Sequence, residues 1–249
     1  MKCLVLAAGM STRLAALTGG APKPLTPIAG VPVLKRNLRW LASHGIRETF
    51  VNLHYRSDEI KAALGDGSAD GVSITWSEEN PILGTAGAAK KLERELSEPT
   101  RNQKPETRNF LMVYGDNVLN FDLKALIAAT EKHPALVTIA VFDPAKNANT
   151  GIAGGRVQVD KTGAVTAFVE GQPGAAGLVN AGVYVCDVRV LEKVPAPPQA
   201  SDWARDIFPK LIAAGEKLRA EIINGYCLGI DTPEAYERAQ ELFRNGVVT

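Results

Sequence analysis

Two basic residues set among small ones carry the first chemical signal. The stretch LAAGMSTRLAALTGGAPKPL, from Leu6 to Leu25, contains Arg13 and, further on, Lys23 held between Pro22 and Pro24. Small residues at Ala7, Ala8, Gly9 and Ser11 let backbone N–H groups approach phosphate oxygens, while a guanidinium and an ammonium neutralise the charge. The two prolines stiffen the chain around Lys23, so its amine is aimed with less entropy to lose. Two familiar phosphate loops are excluded. A P-loop needs Gly-Lys-Ser/Thr at the start of a helix, which is missing, and a dinucleotide fingerprint needs G-x-G-x-x-G, whereas Gly9 is followed by Met10 and Ser11 and the next glycine is Gly19.

A loop of this kind must be positioned by strands and helices, and the first half of the chain supplies them in alternation. KCLVLAA reads as a buried strand ending in glycine, PVLKRNLRWLASH as a helix opened by Pro32 and stopped by Gly45, and ETFVNLH as a second strand. Ser57 caps a short helix, VSITWSE is a third strand, and a helix is expected from about Thr85 to Leu96. SEPTRNQKPETRN is a polar surface loop, FLMVYGD a buried strand ending at Asp116, and DLKALIAAT a helix capped by Asp122. Such alternation implies a parallel sheet with helices on both faces. After about residue 136 the pattern changes: GRVQVDKTGAVTAFVEG alternates about a turn at Lys161 to Gly163 as an antiparallel hairpin, VNAGVYVCD is a further strand, and DWARDIFPKLIAAG and TPEAYERAQELF are capped helices. One continuous α/β domain over 1–249 is expected, with a parallel, mainly nucleotide-binding half, 1–135, followed by a more antiparallel, mainly acceptor-binding half, 136–249, that closes over it.

The 28 basic and 27 acidic residues leave a formal charge of +1, so no global field recruits nucleic acid or an acidic membrane, and any anion must be met locally. Cys3, Cys186 and Cys227 are far apart and each lies in an apolar stretch, as reduced core thiols do. The apolar run Cys3 to Ala8 is too short for a signal peptide and no stretch is long enough to span a membrane, so a cytoplasmic protein is expected. Tyr236 and Phe243, among the charges of the last helix, mark either a dimer contact or ordinary packing, and monomer and homodimer both stay open.

The segment LAAGMSTRL…APKPLTPIAGVPVL closely resembles the signature of the sugar-1-phosphate nucleotidyltransferases, L-A-[AG]-G-x-G-T-R-L followed by P-K-P-[LM]-x-P-[IV]-x-G-x-P. Weaker matches recur in family order over most of the chain: LGTAGA, VYGD, VNAGVYV, DIFPKL and DTPEAYERA. The resemblance implies a Rossmann-like three-layer α/β/α nucleotidyltransferase fold, with a mixed, mainly parallel sheet and a smaller antiparallel acceptor-binding part. It also implies attack by a sugar 1-phosphate on the α-phosphorus of an NTP (GTP, UTP or CTP) with Mg²⁺, giving an NDP-sugar for envelope or capsule glycans. Short bacterial guanylyl- and uridylyltransferases are the most similar in size.

On that resemblance Arg13 and Lys23 act on the leaving pyrophosphate. Leu6, Ala7, Ala8, Gly9, Ser11, Thr12, Glu79, Gly84 and Thr85 meet the nucleotide, Asn117, Gly151, Glu170 and Asn180 meet the acceptor, and Asp116 and Asp231 hold the metal. A Glu79 carboxylate accepting from a base N1–H and exocyclic amine favours guanine, whereas backbone contacts read uracil equally well. Two departures matter. The family's D-[IV]-G-T-P-E is here Gly229-Ile230-Asp231-Thr232-Pro233-Glu234, so Asp231 either reaches the metal from two residues on, which is the expectation, or only caps the last helix. The lysine of the family's E-K-P, which meets the sugar phosphate, is replaced by Gly171, with Arg156 or Lys210 as possible substitutes. That loss keeps open a non-sugar acceptor such as phosphocholine or a phosphonate. Both exchanges would also suit a non-catalytic nucleotide-sensing protein, against which Arg13, Lys23 and Asp116 argue.

Overall fold

The apolar run after Lys2 forms β1 (Cys3–Leu6), buried along its whole length because helices cover both faces of the sheet at this point. The computed structural model describes residues 1–9, 20–99, 108–150, 154–171 and 176–249. After the loop, β2 (Pro27–Ile28) and β3 (Val31–Pro32) form a short ribbon, and α1 (Val33–Ser43) buries Leu34, Leu38 and Leu41 on one stripe. The alternation continues through β4 (Glu48–Leu53), α2 (Ser57–Leu64), β5 (Ser73–Glu78), α3 (Gly84–Lys91), α4 (Glu93–Ser97), β6 (Asn109–Tyr114), β7 (Asn117–Phe121) and α5 (Leu123–Lys132). Then come β8 (Val137–Phe142), β9 (Arg156–Val159), β10 (Val165–Val169) and β11 (Leu178–Asp187). A π-type turn, Trp203–Ile207, leads into α6 (Phe208–Ala213), followed by β12 (Leu218–Ile222), β13 (Gly225–Gly229) and α7 (Pro233–Arg244).

Among the described residues nine strands make one mixed sheet. β1 lies between β4 and β6, parallel to both, and β4 is parallel to β5. β11 runs antiparallel to β6, β8 and β9, and β9 pairs antiparallel with β10. The pairings among β1, β4, β5 and β6 are parallel and the antiparallel pairings gather about β11 and β9, as the sequence pattern implies, but β12 pairs parallel with β8 within the second half. One side of the sheet packs against α1, α2 and α5, the other against α3, α4 and α6, giving three layers. On the second side Trp203, Tyr184 and Phe208 are all fully buried, with ring centroids 5.7 Å (Trp203–Phe208) and 5.2 Å (Tyr184–Phe208) apart. Burying each such side chain contributes roughly 1.5–3 kcal/mol.

The structure departs from the sequence reading in three places. The helix expected from Thr85 to Leu96 breaks at Leu92, and the bend lets both Leu92 and Leu96 reach the core. Ser57 is the first residue of α2 rather than its cap, because Arg56 takes the cap position in a left-handed conformation (φ 52°). β7 and β13 pair antiparallel in a small second sheet, with Asn117 opposite Gly229. That pairing carries the chain after β13 to the end of β6.

Candidate active site

The centre of the site is an ion triangle. Lys23, only 7% exposed, places Nζ 2.7 Å from Asp116 Oδ2 and 2.5 Å from Asp231 Oδ1. Each corner has a local cause. Pro22 and Pro24 hold Lys23 in a tight turn, and the Gly115 N–H bonds to the Leu6 carbonyl, fixing the tip of β6 beside the end of β1. The β7–β13 pairing brings Asp231 up beside Asp116, while Thr232 accepts the Ala235 N–H and so takes the cap of α7. Asp231 is therefore left to the triangle and Thr232 does the capping. Burial alone would push the Lys23 ammonium towards neutrality, but the two carboxylates outweigh it and hold its pKa above the ordinary lysine value. Among the described residues no three His, Cys, Asp or Glu side chains converge, and the carboxylates of the triangle are the pair Asp116 and Asp231. That donor set suits Mg²⁺, which keeps several waters and binds through one or two carboxylates plus substrate phosphates.

Two hollows meet at this triangle, and Thr85, Tyr114 and Asp116 line both. The smaller, about 180 Å³, is walled by Leu6, Ala8, Gly9, Asn52, Glu79, Ile82 and Gly84. Its polar groups are bonded to one another. Asn52 Oδ1 accepts the Ala7 N–H at 2.7 Å, Asn52 Nδ2 donates to Glu79 Oε1 at 2.8 Å, and Glu79 Oε2 accepts the Leu83 N–H at 2.9 Å. Glu79 is a carboxylate 3% exposed that accepts from the neutral N–H groups of Asn52 and Leu83, and it keeps lone pairs for a further donor. Gly84 is required at its position: φ is 74° and a Cβ would stand 2.4 Å from the Ser201 carbonyl oxygen.

The larger hollow, about 600 Å³, has Asn117, Glu170, Asn180, Asp202, Arg205 and Glu234 on its walls. Asn180 is turned in by an irregularity of the β11–β8 register at Gly182 (φ 71°), whose N–H it accepts at 3.0 Å, and it donates to the Tyr184 hydroxyl at 2.6 Å. Burial, with Asp202 close by, pushes the Glu170 carboxyl up, and the Arg205 guanidinium opposes the rise. Burial also raises the Tyr114 hydroxyl above the usual tyrosine range. A further hollow, about 810 Å³, lies at the other ends of the strands, between Asn109, Leu136, Asp187 and Lys217. Its charges pair with each other, as in Arg189–Asp187 and Lys193–Glu216, so size does not mark the reactive place.

Of the residues singled out in the sequence, Leu6, Ala8, Gly9, Glu79, Gly84 and Thr85 line the smaller hollow and Asn117, Glu170 and Asn180 the larger. Ala7 is buried just beneath, bonded to Asn52. The Thr85 hydroxyl donates to Asp202 Oδ2 at 2.7 Å and accepts the Trp203 N–H at 3.0 Å, which leaves the backbone as its ligand-facing part. Ser11, Thr12, Arg13 and Gly151 lie outside the described residues. The sequence reading missed Asn52, Tyr114 and Arg205. Asn52 had a signal: it is the one amide in the otherwise apolar run FVNL of β4. The three cysteines are buried and free, as expected. Tyr236 and Phe243 pack within the chain, Tyr236 against Pro27 and Phe243 under Arg36 and beside Tyr226.

Fold and site together define an α/β protein whose site lies beyond the carboxyl ends of its parallel strands, with one lysine and two carboxylates where two hollows meet. The chain belongs to the nucleotidyl transferase family, whose model matches residues 2–245. It is 32% identical over 250 residues to a mannose-1-phosphate guanylyltransferase of Mycobacterium tuberculosis, covering 98% of this chain and 65% of that protein. It is 30% identical over 227 residues to a UTP–glucose-1-phosphate uridylyltransferase of Synechocystis, covering 86% of this chain and 56% of that protein. The chain thus spans less than two thirds of the length of these relatives. Among solved structures it resembles HddC from Yersinia pseudotuberculosis, at 25% identity and a TM-score of 0.77, covering 97% of this chain and 99% of that one. HddC complexed with GMP-PN matches with a TM-score of 0.76. No described helix is long and apolar enough to cross a membrane.

Proposed function

We propose that the chain transfers a nucleotidyl group from an NTP to a sugar 1-phosphate, giving an NDP-sugar and pyrophosphate. The observation that carries this reading is the buried Lys23 between Asp116 and Asp231, at the junction of the two hollows. The relatives' guanylyl- and uridylyltransferase names support the reaction class.

The second pKa of a phosphate monoester is about 6, so at neutral pH the acceptor is mostly dianionic and needs no side chain to take its proton. An acceptor oxygen attacks the α-phosphorus. The bond from the α-phosphorus to its bridging oxygen breaks, and pyrophosphate leaves with the electron pair. Lys23, and Arg13 by resemblance, hold the leaving charge. Asp116 and Asp231 would hold Mg²⁺, whose chemistry when bound is to draw the phosphates together and neutralise them. Glu79 accepts from the base edge, which favours guanine, and Asn52 and Leu83 fix the carboxylate that does so. Asn117, Glu170 and Asn180 take hydroxyls of the acceptor, with Gly151 added by resemblance. Residues 1–135 thus serve mainly the nucleotide and 136–249 mainly the acceptor, in one domain that is a monomer or a homodimer. In this reading the product is made in the cytoplasm for envelope or capsule glycans.

The test is pyrophosphate release with Mg²⁺ for each NTP against a panel of sugar 1-phosphates, phosphocholine and aminoethylphosphonate. Release with one NTP and one sugar phosphate is expected. Release only with a non-sugar acceptor would favour a second reading, for which the missing side chain at Gly171 is the support. Silence with NTP binding intact would leave a nucleotide sensor.

A further inference from the structure

We propose that Arg205 binds the phosphate of the acceptor and is this chain's determinant of acceptor affinity; the inference rests on the nucleotidyl-transfer reading above. The acceptor hollow is acidic, with Asp116, Glu170, Asp202, Asp231 and Glu234 on its walls, and Arg205 is the one basic residue among its described lining residues. A phosphate dianion entering it needs a cation. Lys23 is already balanced by two carboxylates. Position 171 offers none, since Gly171 has open space about it, and Arg156 and Lys210 are not among the lining residues.

Arg205 meets the requirement in charge, freedom and placement. Among the described residues no hydrogen bond or ion pair ties its guanidinium to another residue, although its charge reaches Glu170 across the hollow. Its backbone is fixed: its N–H donates to Asp202 Oδ1 at 3.2 Å, and the other oxygen of Asp202 accepts the Thr85 hydroxyl at 2.7 Å. Trp203, two residues earlier, is fully buried, and the Ser201 carbonyl accepts the Ala86 N–H at the start of α3. A free arginine on a turn pinned to the nucleotide-side helix sets the acceptor in register with the nucleotide. Its planar fork matches two phosphate oxygens, a geometry a lysine cannot reproduce.

The experiment is steady-state kinetics of pyrophosphate release for wild type, Arg205→Gln, Arg205→Lys and the double variant Gly171→Lys/Arg205→Gln. The probes are GTP with mannose 1-phosphate, UTP with glucose 1-phosphate and each NTP with phosphocholine, with melting curves alongside. Arg205→Gln is expected to raise KM for the phosphorylated acceptor at least tenfold while KM for the NTP and the melting temperature stay put. Arg205→Lys should recover part of the loss, as should a lysine returned at position 171. Inhibition by the unphosphorylated sugar should not change. An unaltered acceptor KM in Arg205→Gln, or an equal rise in the NTP KM, overturns the inference and leaves the reaction standing. No pyrophosphate from wild type with any pair overturns the nucleotidyl-transfer reading, and this inference with it.

Discussion

The two hollows that meet at Asp116 are built on opposite principles. On the nucleotide side the polar groups are bonded in series, from Ala7 through Asn52 and Glu79 to Leu83, around about 180 Å³. On the proposed acceptor side about 600 Å³ is lined by carboxylates, with Glu170 destabilised in its charged form and the Arg205 guanidinium without a partner among the described residues. A pre-bonded pocket holds one shape for a ligand that hardly varies, because little is lost in ordering it at binding. An open, electrostatically unsettled one gives up folding stability for a ligand that supplies the missing charge and hydrogen bonds. On the proposed function, the difference teaches where specificity would reside: the nucleotide would be met by rigid geometry and the acceptor by unsatisfied charge.

The contrast is broken most severely at the junction itself. Lys23→Met and Asp116→Asn should each lower kcat/KM about a thousandfold, the scale of losing one preorganised electrostatic contact. Because the side chains of Asp116 and Asp231 are 36% and 37% exposed, water can solvate them when Lys23 is gone, so melting temperatures should move little. Titration of nucleotide-free protein with Mn²⁺ should show Lys23→Met binding at least as tightly as wild type, because its carboxylates are released from the ammonium. Weaker binding would mean that these carboxylates are not the metal's ligands.

A smaller effect is expected from the nucleotide side. Glu79→Gln should raise KM for the NTP about tenfold, equivalent to about 1.4 kcal/mol, with the acceptor KM unchanged, since it removes the charge but keeps the shape. Gly84→Ala, with its Cβ 2.4 Å from the Ser201 carbonyl and φ at 74°, should destabilise the fold by about 1–3 kcal/mol, measured by urea unfolding. The smallest change, and one of opposite sign, belongs to the acceptor side. The Glu170 carboxyl is raised in the folded protein, so its contribution to stability is present below the ordinary carboxylate value and is lost as pH rises. Glu170→Gln should therefore melt slightly above wild type at neutral pH, with the gap closing towards about pH 4, while the acceptor KM rises. A wild-type-like melting curve at every pH would remove the contrast between the two hollows.

The layered fold was legible in the sequence because its parallel strands are continuous apolar runs and its helices carry caps such as Asp122 and Thr232. The small β7–β13 sheet was not. GYCLG is short and bounded by glycines, and its pairing depends on Gly225 lying on the Asn120 carbonyl, a contact far away in sequence. The same distance hid the outcome at Asp231. Its position two residues past the family's usual aspartate was ambiguous until Lys23 and Asp116 were brought to it through that sheet. Lys23 and Asp116 stood out through local spacing, whereas Arg205 did not, because nothing local distinguishes it from any exposed helical arginine. Its meaning comes from the carboxylates around it.

The most direct test of the central claim is ³¹P NMR of the wild-type protein with Mg²⁺, GTP or UTP, and mannose or glucose 1-phosphate. The account predicts that the diphosphate resonances of an NDP-sugar and the resonance of pyrophosphate grow together at equal rates, and that Asp116→Asn abolishes both. Release of orthophosphate instead, or an NDP-sugar signal that survives in Asp116→Asn at the wild-type rate, would contradict it.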